Sequence, residues 1–125
     1  TREDEWVRAA RGADGRAFPW GNFLYPTFAC HRHSHGDRPA RPVSVHAFPL
    51  DESPFGVRGL GRNVRNWCVN VWGTGRTAFE SFEALRGGYW SGHAHSSRGA
   101  SRGWTGPAAR ANVTGFRLVR DLPGP

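Results

Sequence analysis

The ten residues NVRNWCVNVW, 63 to 72, carry the clearest structural period in this chain. Val64 falls on one side and Arg65 on the other. Trp67, Val69 and Val71 then follow on alternate positions, a repeat of two that predicts a half-buried strand with its apolar side on those three residues. The other candidate elements are short. Thr1 can cap a helix over residues 2 to 11, with Asp4 in its acidic first turn, Trp6, Ala9 and Ala10 on one face and Gly12 as the stop. GADGRAFPWGN then reads as turns around Phe18 and Trp20. Between Asn22 and Pro54, two brief strand-like pieces, Phe28 to His33 and Val43 to Phe48, flank the polar turn His35 to Pro42. Phe82 to Leu85 and Phe116 to Val119 are the remaining strand candidates. With no internal repeat and no heptad seam, one mixed α+β domain, loop-rich and with little helix, accounts for the whole.

Length and composition support one domain. A chain of 125 residues is too short for two ordinary domains, and its six Trp and eight Phe concentrate apolar area in a few large side chains that must be gathered together. The formal charge is +7, which would suit a polyanion. All 17 basic residues are Arg, however, and the chain has no Lys, Ile, Gln or Met, the pattern of a GC-rich coding sequence. Nucleic acid is therefore not the expected partner. No apolar run is long enough to span a bilayer and the N-terminus lacks a signal-peptide core, so the chain is expected to be soluble with no membrane partner. Cys30 and Cys68 form no CxxC, which leaves a single disulfide open and gives no zinc framework.

Taken in order, EDEWVRAARG, DGRAFPWGN, DESPFGVRGLGRNVRNWC, LRGGYW, RGASR and TGFRLVR resemble the formylglycine-generating enzyme and sulfatase-modifying-factor superfamily, from about Thr1 to Arg120. The resemblance implies a C-type-lectin-like fold: an irregular, loop-rich surface held by a small antiparallel sheet. It implies a single domain over 1–125 without the upstream part usual in the family, either a minimal version or a piece of a longer protein. The family includes non-enzymatic members, among them regulatory domains of bacterial protein kinases and variable proteins diversified by retroelements. PTFACHRHSHGDRP is most similar to the kinase-associated group, and the closing RGGYW to GFRLVR frame to the variable proteins. Two departures bear on chemistry. The oxidases of the family bind copper through a cysteine pair after the RGG motif, whereas 87 to 110 contains no Cys, so neither oxidase activity nor a copper cofactor is expected. Where some members hold calcium through an Asn and an acidic residue three positions later, this chain has Asn63 and Asn66, with Arg62 in place of a small residue. The lost carboxylate disfavours a hard cation.

The candidate sites follow from that frame. Arg98, Arg102, Arg110 and Arg117 are expected to tie loop carbonyls together, since a guanidinium offers five donors where ladder partners are missing. Asn63, Trp67, Trp90 and Phe116 are expected to be structural, the aromatic three as core. His31, His33 and His35, and the pair His93 and His95, have spacings that suit Zn, Ni or Cu, but no carboxylate lies within either set to fix a tautomer, and the expectation is no metal. No GxSxG elbow or other nucleophilic frame is present, so no catalytic residue is assigned. Between the anchors stand Tyr89, Ser91, Gly92, His93, His95, Ser96, Gly103, Trp104, Thr105, Gly106, Ala109, Ala111 and Asn112. Such mixtures of Tyr and Trp with Ser, Gly and Asn suit adaptable recognition. The expectation is a non-enzymatic module that binds a protein or peptide ligand through residues 89–112. The alternatives are a metal-dependent oxygenase or transferase using the histidines, a regulatory domain of a bacterial protein kinase and, last, non-specific polyanion binding through the Arg excess.

Overall fold

The computed structural model describes residues 1–71 and 82–124; Trp72, at the end of the predicted strand, and Pro125 lie outside the described residues. Its elements are helix α1 (Glu3–Arg11), a 3-10 turn at Pro26–Phe28, strand β1 (Arg65–Val71), strand β2 (Glu83–Arg86), a 3-10 turn at Ala94–Ser97, strand β3 (Arg102–Thr105) and strand β4 (Thr114–Gly115). Helix α1 begins one residue later than predicted. Its entry is closed by the Glu5 carboxylate, which accepts the Arg2 N–H at 2.7 Å, and not by Thr1. Thr1 instead continues the sheet edge: its Oγ1 donates to the Arg117 carbonyl at 2.7 Å and its own carbonyl accepts the Val69 N–H at 3.1 Å. Gly12 ends the helix as expected, with φ 62° and its N–H on the Arg8 carbonyl at 3.0 Å.

The sheet runs β3-β2-β1-β4. β2 pairs antiparallel with β1 (Trp67 opposite Leu85) and with β3 (Gly103 opposite Leu85), whereas β4 lies parallel to β1. The expected antiparallel sheet is thus mixed, because residues 106–113 carry the chain from the β3 edge across to the other edge, beside the start of β1. The final strand is two residues earlier than predicted. Phe116, expected in the core, is 73 % exposed.

β1 alternates as the sequence implied, but its apolar side faces out. Asn66 and Cys68 are buried, Trp67 is only half-buried, and Val69 is 73 % exposed. Two donors explain the inversion. Asn66 Oδ1 accepts the Trp6 indole N–H at 2.9 Å and Arg117 Nε at 2.8 Å, so this amide is satisfied inside. Cys68 joins Trp6, Ala10, Leu60 and Ala84 in the core between the helix and the sheet.

The segments 28–33 and 43–48 are not strands. The first runs from the end of the 3-10 turn through irregular chain into a turn at residues 32–33, and in the second Val43 has its N–H and carbonyl bonded by the Asn63 side chain at 2.8 and 2.7 Å, so a side chain replaces the ladder. Phe18, Trp20, Phe28 and Tyr25 form a continuous ring array, with successive centroids 5.4, 5.8 and 4.7 Å apart. Cys30 and Cys68 are both free and buried, and burial raises each thiol to about 11. Among the described residues, no helix is long and apolar enough to cross a membrane.

Candidate functional site

Two glycine-rich turns meet back to back to build the frame of the site. Gly87 takes φ 87°, and Gly88 lies so close to the 61–62 backbone that an added Cβ would be 2.6 Å from the Gly61 carbonyl. Backbone bonds join the turns: Gly88 N–H to the Gly61 carbonyl at 3.0 Å and Trp90 N–H to the Asn63 carbonyl at 2.8 Å. Asn63 has φ 93°, a strained value for a side-chain-bearing residue, held by its two bonds to Val43.

Arg62 is the hub of this frame and is fully buried. Nε donates to Ser97 Oγ at 2.5 Å, Nη1 to the Gly92 carbonyl at 3.1 Å and Nη2 to Ser96 Oγ at 3.1 Å, so one guanidinium fixes the whole 92–97 loop. Burial lowers its pKa to about 10, with Cys30 and Asp51 opposing the shift. Beneath it, the buried Asp51 carboxylate accepts the Gly61 and Arg62 N–H groups at 2.8 and 3.2 Å. Burial raises Asp51 to about 6, and these two backbone donors pull the other way.

A pH prediction follows. Because the folded pKa of Asp51 exceeds the ordinary carboxylate value, the native state takes up its proton first. This contribution to stability is fully present below about pH 4 and is lost as pH rises through about 6. His31, whose pKa burial lowers, acts in the opposite sense over a neighbouring range, so the informative quantity is a difference. Chemical unfolding of wild type and Asp51→Asn is expected to show wild type gaining about 1 to 3 kcal/mol on the variant between pH 7 and pH 4. A pH-independent gap would contradict this.

The expected arginine lattice exists, but with different members. Arg117 belongs to it: Nε meets Asn66 Oδ1, and Nη2 donates to the Arg58 carbonyl at 2.7 Å. Arg102 instead joins Arg86 on the Glu3 carboxylate, which these arginines, Arg102 first, hold below its usual range. Arg98 and Arg110 are exposed, and neither side chain bonds a described residue, so neither is an anchor. Trp90 is half-buried, with its indole N–H on the Asn112 carbonyl at 3.0 Å. Arg62, Asp51 and Ser97 are anchors that the sequence reading passed over.

The candidate recognition residues divide into three groups. His93 and His95 are exposed on the Arg62-held loop, rings stacked with centroids 5.7 Å apart. Ser91 is half-buried there. Ser96 is part of the frame and not displayed, since its Oγ donates to the His93 carbonyl at 2.7 Å and accepts from Arg62. The second group lies on the sheet face away from the helix: Tyr89 is half-buried under Arg65, Gly103 is buried beneath the same guanidinium, and Thr105 shares the alternation of Gly103. Ala109, Ala111 and Asn112 are exposed on the crossing segment. Trp104 stands alone. Next to Gly103 on an extended strand, it projects from the opposite face, meets Phe82 edge-on at 4.7 Å, and is 55 % exposed.

The family described as "Sulfatase-modifying factor enzyme 1-like domain" matches residues 1–122. The chain belongs to this family. Among curated relatives, a formylglycine-generating enzyme of Thermomonospora curvata is 29 % identical over 149 aligned residues, covering 95 % of this chain and 48 % of that protein. The uncharacterized protein YfmG of Bacillus subtilis is 25 % identical over 152, covering 97 % and 31 %. The chain thus spans less than half the length of these relatives. PvdO of Pseudomonas aeruginosa superposes with a TM-score of 0.74 at 21 % identity over 92 % of this chain and 49 % of that one. Treponema denticola variable protein 1 gives 0.72 at 24 % over 92 % and 44 %, and CarF gives 0.74 at 20 % over 96 % and 46 %. Together they place the fold as α+β and C-type-lectin-like.

The residues of this sulfatase-modifying-factor-like domain do not fit the copper and calcium that the resemblance in the sequence raised. No thiol lies in 87 to 110, and the Cys30 and Cys68 sulfurs instead contact the Arg41 carbonyl at 3.6 Å and the Asn66 carbonyl at 3.8 Å. The Asn63 amide is engaged with both Val43 backbone groups, and the Asn66 oxygen already accepts two donors. His31 and His33 meet edge-on with centroids 5.9 Å apart, while His35 Nε2 turns to Cys30 Sγ at 3.5 Å. Among the described residues, no three His, Cys, Asp or Glu side chains converge on one point.

Proposed function

We propose that this domain is a non-enzymatic ligand-binding module whose surface over residues 89–112 contacts a protein or peptide. The observation that carries the proposal is the Arg62 hub. It fixes the 92–97 backbone through three side-chain bonds while His93 and His95 remain exposed above it. A rigid loop with outward-facing side chains can change those side chains without loss of the fold, and it lowers the ordering cost of binding. The likeness to Treponema denticola variable protein 1 supports extending this to a retroelement-diversified variable protein, with Arg62, Arg117 and the close-packed glycines as fixed points.

The test is selection of a phage-displayed peptide library on the immobilised chain. Enriched peptides are expected to lose about tenfold or more in affinity for His93→Ala or His95→Ala, with Tm unchanged, because both side chains are exposed. Peptides that bind both variants and wild type alike would place recognition elsewhere. Trp104→Ala in the same assay reads whether the opposite face of β3 takes part.

A further inference from the structure

Arg65 is partly enclosed and pairs with no carboxylate among the described residues. Its guanidinium carbon lies 4.8 Å from the centroid of the Tyr89 ring. Its Nη1 rests on Gly103, where any Cβ would overlap it, and a Cβ there would also come within 3.6 Å of Leu85 Cβ. Ring and glycine together make a slot that fixes the plane of the guanidinium. Arg65 Nε is the one buried side-chain nitrogen or oxygen among the described residues that no hydrogen-bond partner reaches.

The other enclosed arginines are all accounted for. Arg16, Arg58 and Arg86 pair with carboxylates, as the exposed Arg102 also does, and Arg11, Arg62 and Arg117 bond carbonyls or hydroxyls. The Arg65 side chain has neither kind of partner among the described residues, and its two Nη atoms, unlike Nε, are not enclosed. A desolvated donor left unpaired costs about 1 to 3 kcal/mol, which packing on Tyr89 and Gly103 must offset, and it is the two Nη atoms, reached by solvent and without an acceptor among the described residues, that can take a ligand.

We propose that Arg65 is a carboxylate-binding site: its open Nη edge receives an acidic side chain or the chain-terminal carboxylate of the peptide ligand, with Tyr89 as the floor and Gly103 as the cradle. This deepens the reading given under Proposed function and rests on it, since Tyr89 and Gly103 belong to the same 89–112 surface. A planar, singly charged carboxylate matches one guanidinium fork, whereas a phosphate dianion draws on more donors than this slot provides. The site lies on the sheet face opposite Trp104, so the two are separable by mutation.

The experiment follows the Arg65 Nε–H resonance of the 15N-labelled chain, assigned by its disappearance in Arg65→Lys. The probes are N-acetylglycine for a chain end, N-acetylglutamate α-methylamide for a side chain, N-acetylglutamine α-methylamide as the neutral control, and inorganic phosphate. A saturable shift in the millimolar range with either carboxylate, and none with the neutral amide, is the expected result. Which carboxylate acts identifies its source. Backbone shifts around Tyr89 should report binding weakened about tenfold in Arg65→Lys, which keeps the charge and loses the fork, and in Gly103→Ala, which displaces the guanidinium. No shift, an equal shift with the neutral amide, or stronger binding of phosphate would each overturn the assignment. If Arg65 is silent while selected peptides still depend on His93, the carboxylate site falls and the binding module stands; if no peptide depends on the surface, the broader reading falls as well.

Discussion

Arg62→Met will lower the unfolding free energy by about 3 to 5 kcal/mol, the range for removing one member of a buried charged network. The methionine fills much of the volume but leaves the Gly92 carbonyl and the Ser97 hydroxyl without their donor, and Asp51 without its neighbouring charge. For a domain of this size, whose total stability is roughly 5 to 15 kcal/mol, this is a large fraction, and Tm is expected to fall by about 10 to 20 °C. Arg62→Lys keeps a charge but cannot reach three partners at once, and it will recover only part of the loss. Thermal unfolding measures the total, and amide exchange over 92–97 measures where it is felt. A Tm within a few degrees of wild type would mean that the loop is held by something else.

Trp6→Ala will cost a similar amount, about 3 to 5 kcal/mol, by opening a cavity where α1 meets the sheet. Trp6 is 1 % exposed and packs with Leu60, Cys68 and Ala84; Gly87 approaches the same ring so closely that an added Cβ would lie 3.3 Å from it. The loss has a second part, since Asn66 Oδ1 would keep only Arg117. Trp6→Phe separates the two: most of the packing remains and the indole N–H goes, for an expected cost of about 1 to 2 kcal/mol. Trp104→Ala is the internal control. With more than half of its surface in water and, among the described residues, only Phe82 as its ring neighbour, it is expected to cost less than about 1 kcal/mol. Urea unfolding of the three variants checks the order, and a Trp104 loss equal to that of Trp6 would contradict the layering described above.

What could be read from the residues was what local chemistry controls. The helix with Trp6 and Ala10 inward and Gly12 as its stop needs only a 3.6-residue period and one left-handed position. The main strand needs only alternation. Its facing could not be read that way: pattern assigns Trp67 and Val69 inward, but the inward position goes to Asn66, whose two donors come from residues 60 positions before it and 51 after it. The false strand at 43–48 has the same origin, in a side-chain amide 20 residues away that replaces a partner strand. Arg62 is visible as a bulky residue where relatives have a small one, directly after Gly61, and Gly61 and Gly88 mark where two backbones touch. That contact signals a hub, yet nothing local says which arginine of 17 supplies it. The frame residues Arg98 and Arg110 were over-read for the same reason.

One contact at the margin of the sheet bears on how the domain can sit in a larger molecule. Thr1 clasps the Arg117 carbonyl while its own carbonyl holds Val69, so the entering and departing chain share one corner of the fold. A tether attached at either side of that clasp leaves from the same spot, beside Pro107 of the crossing segment.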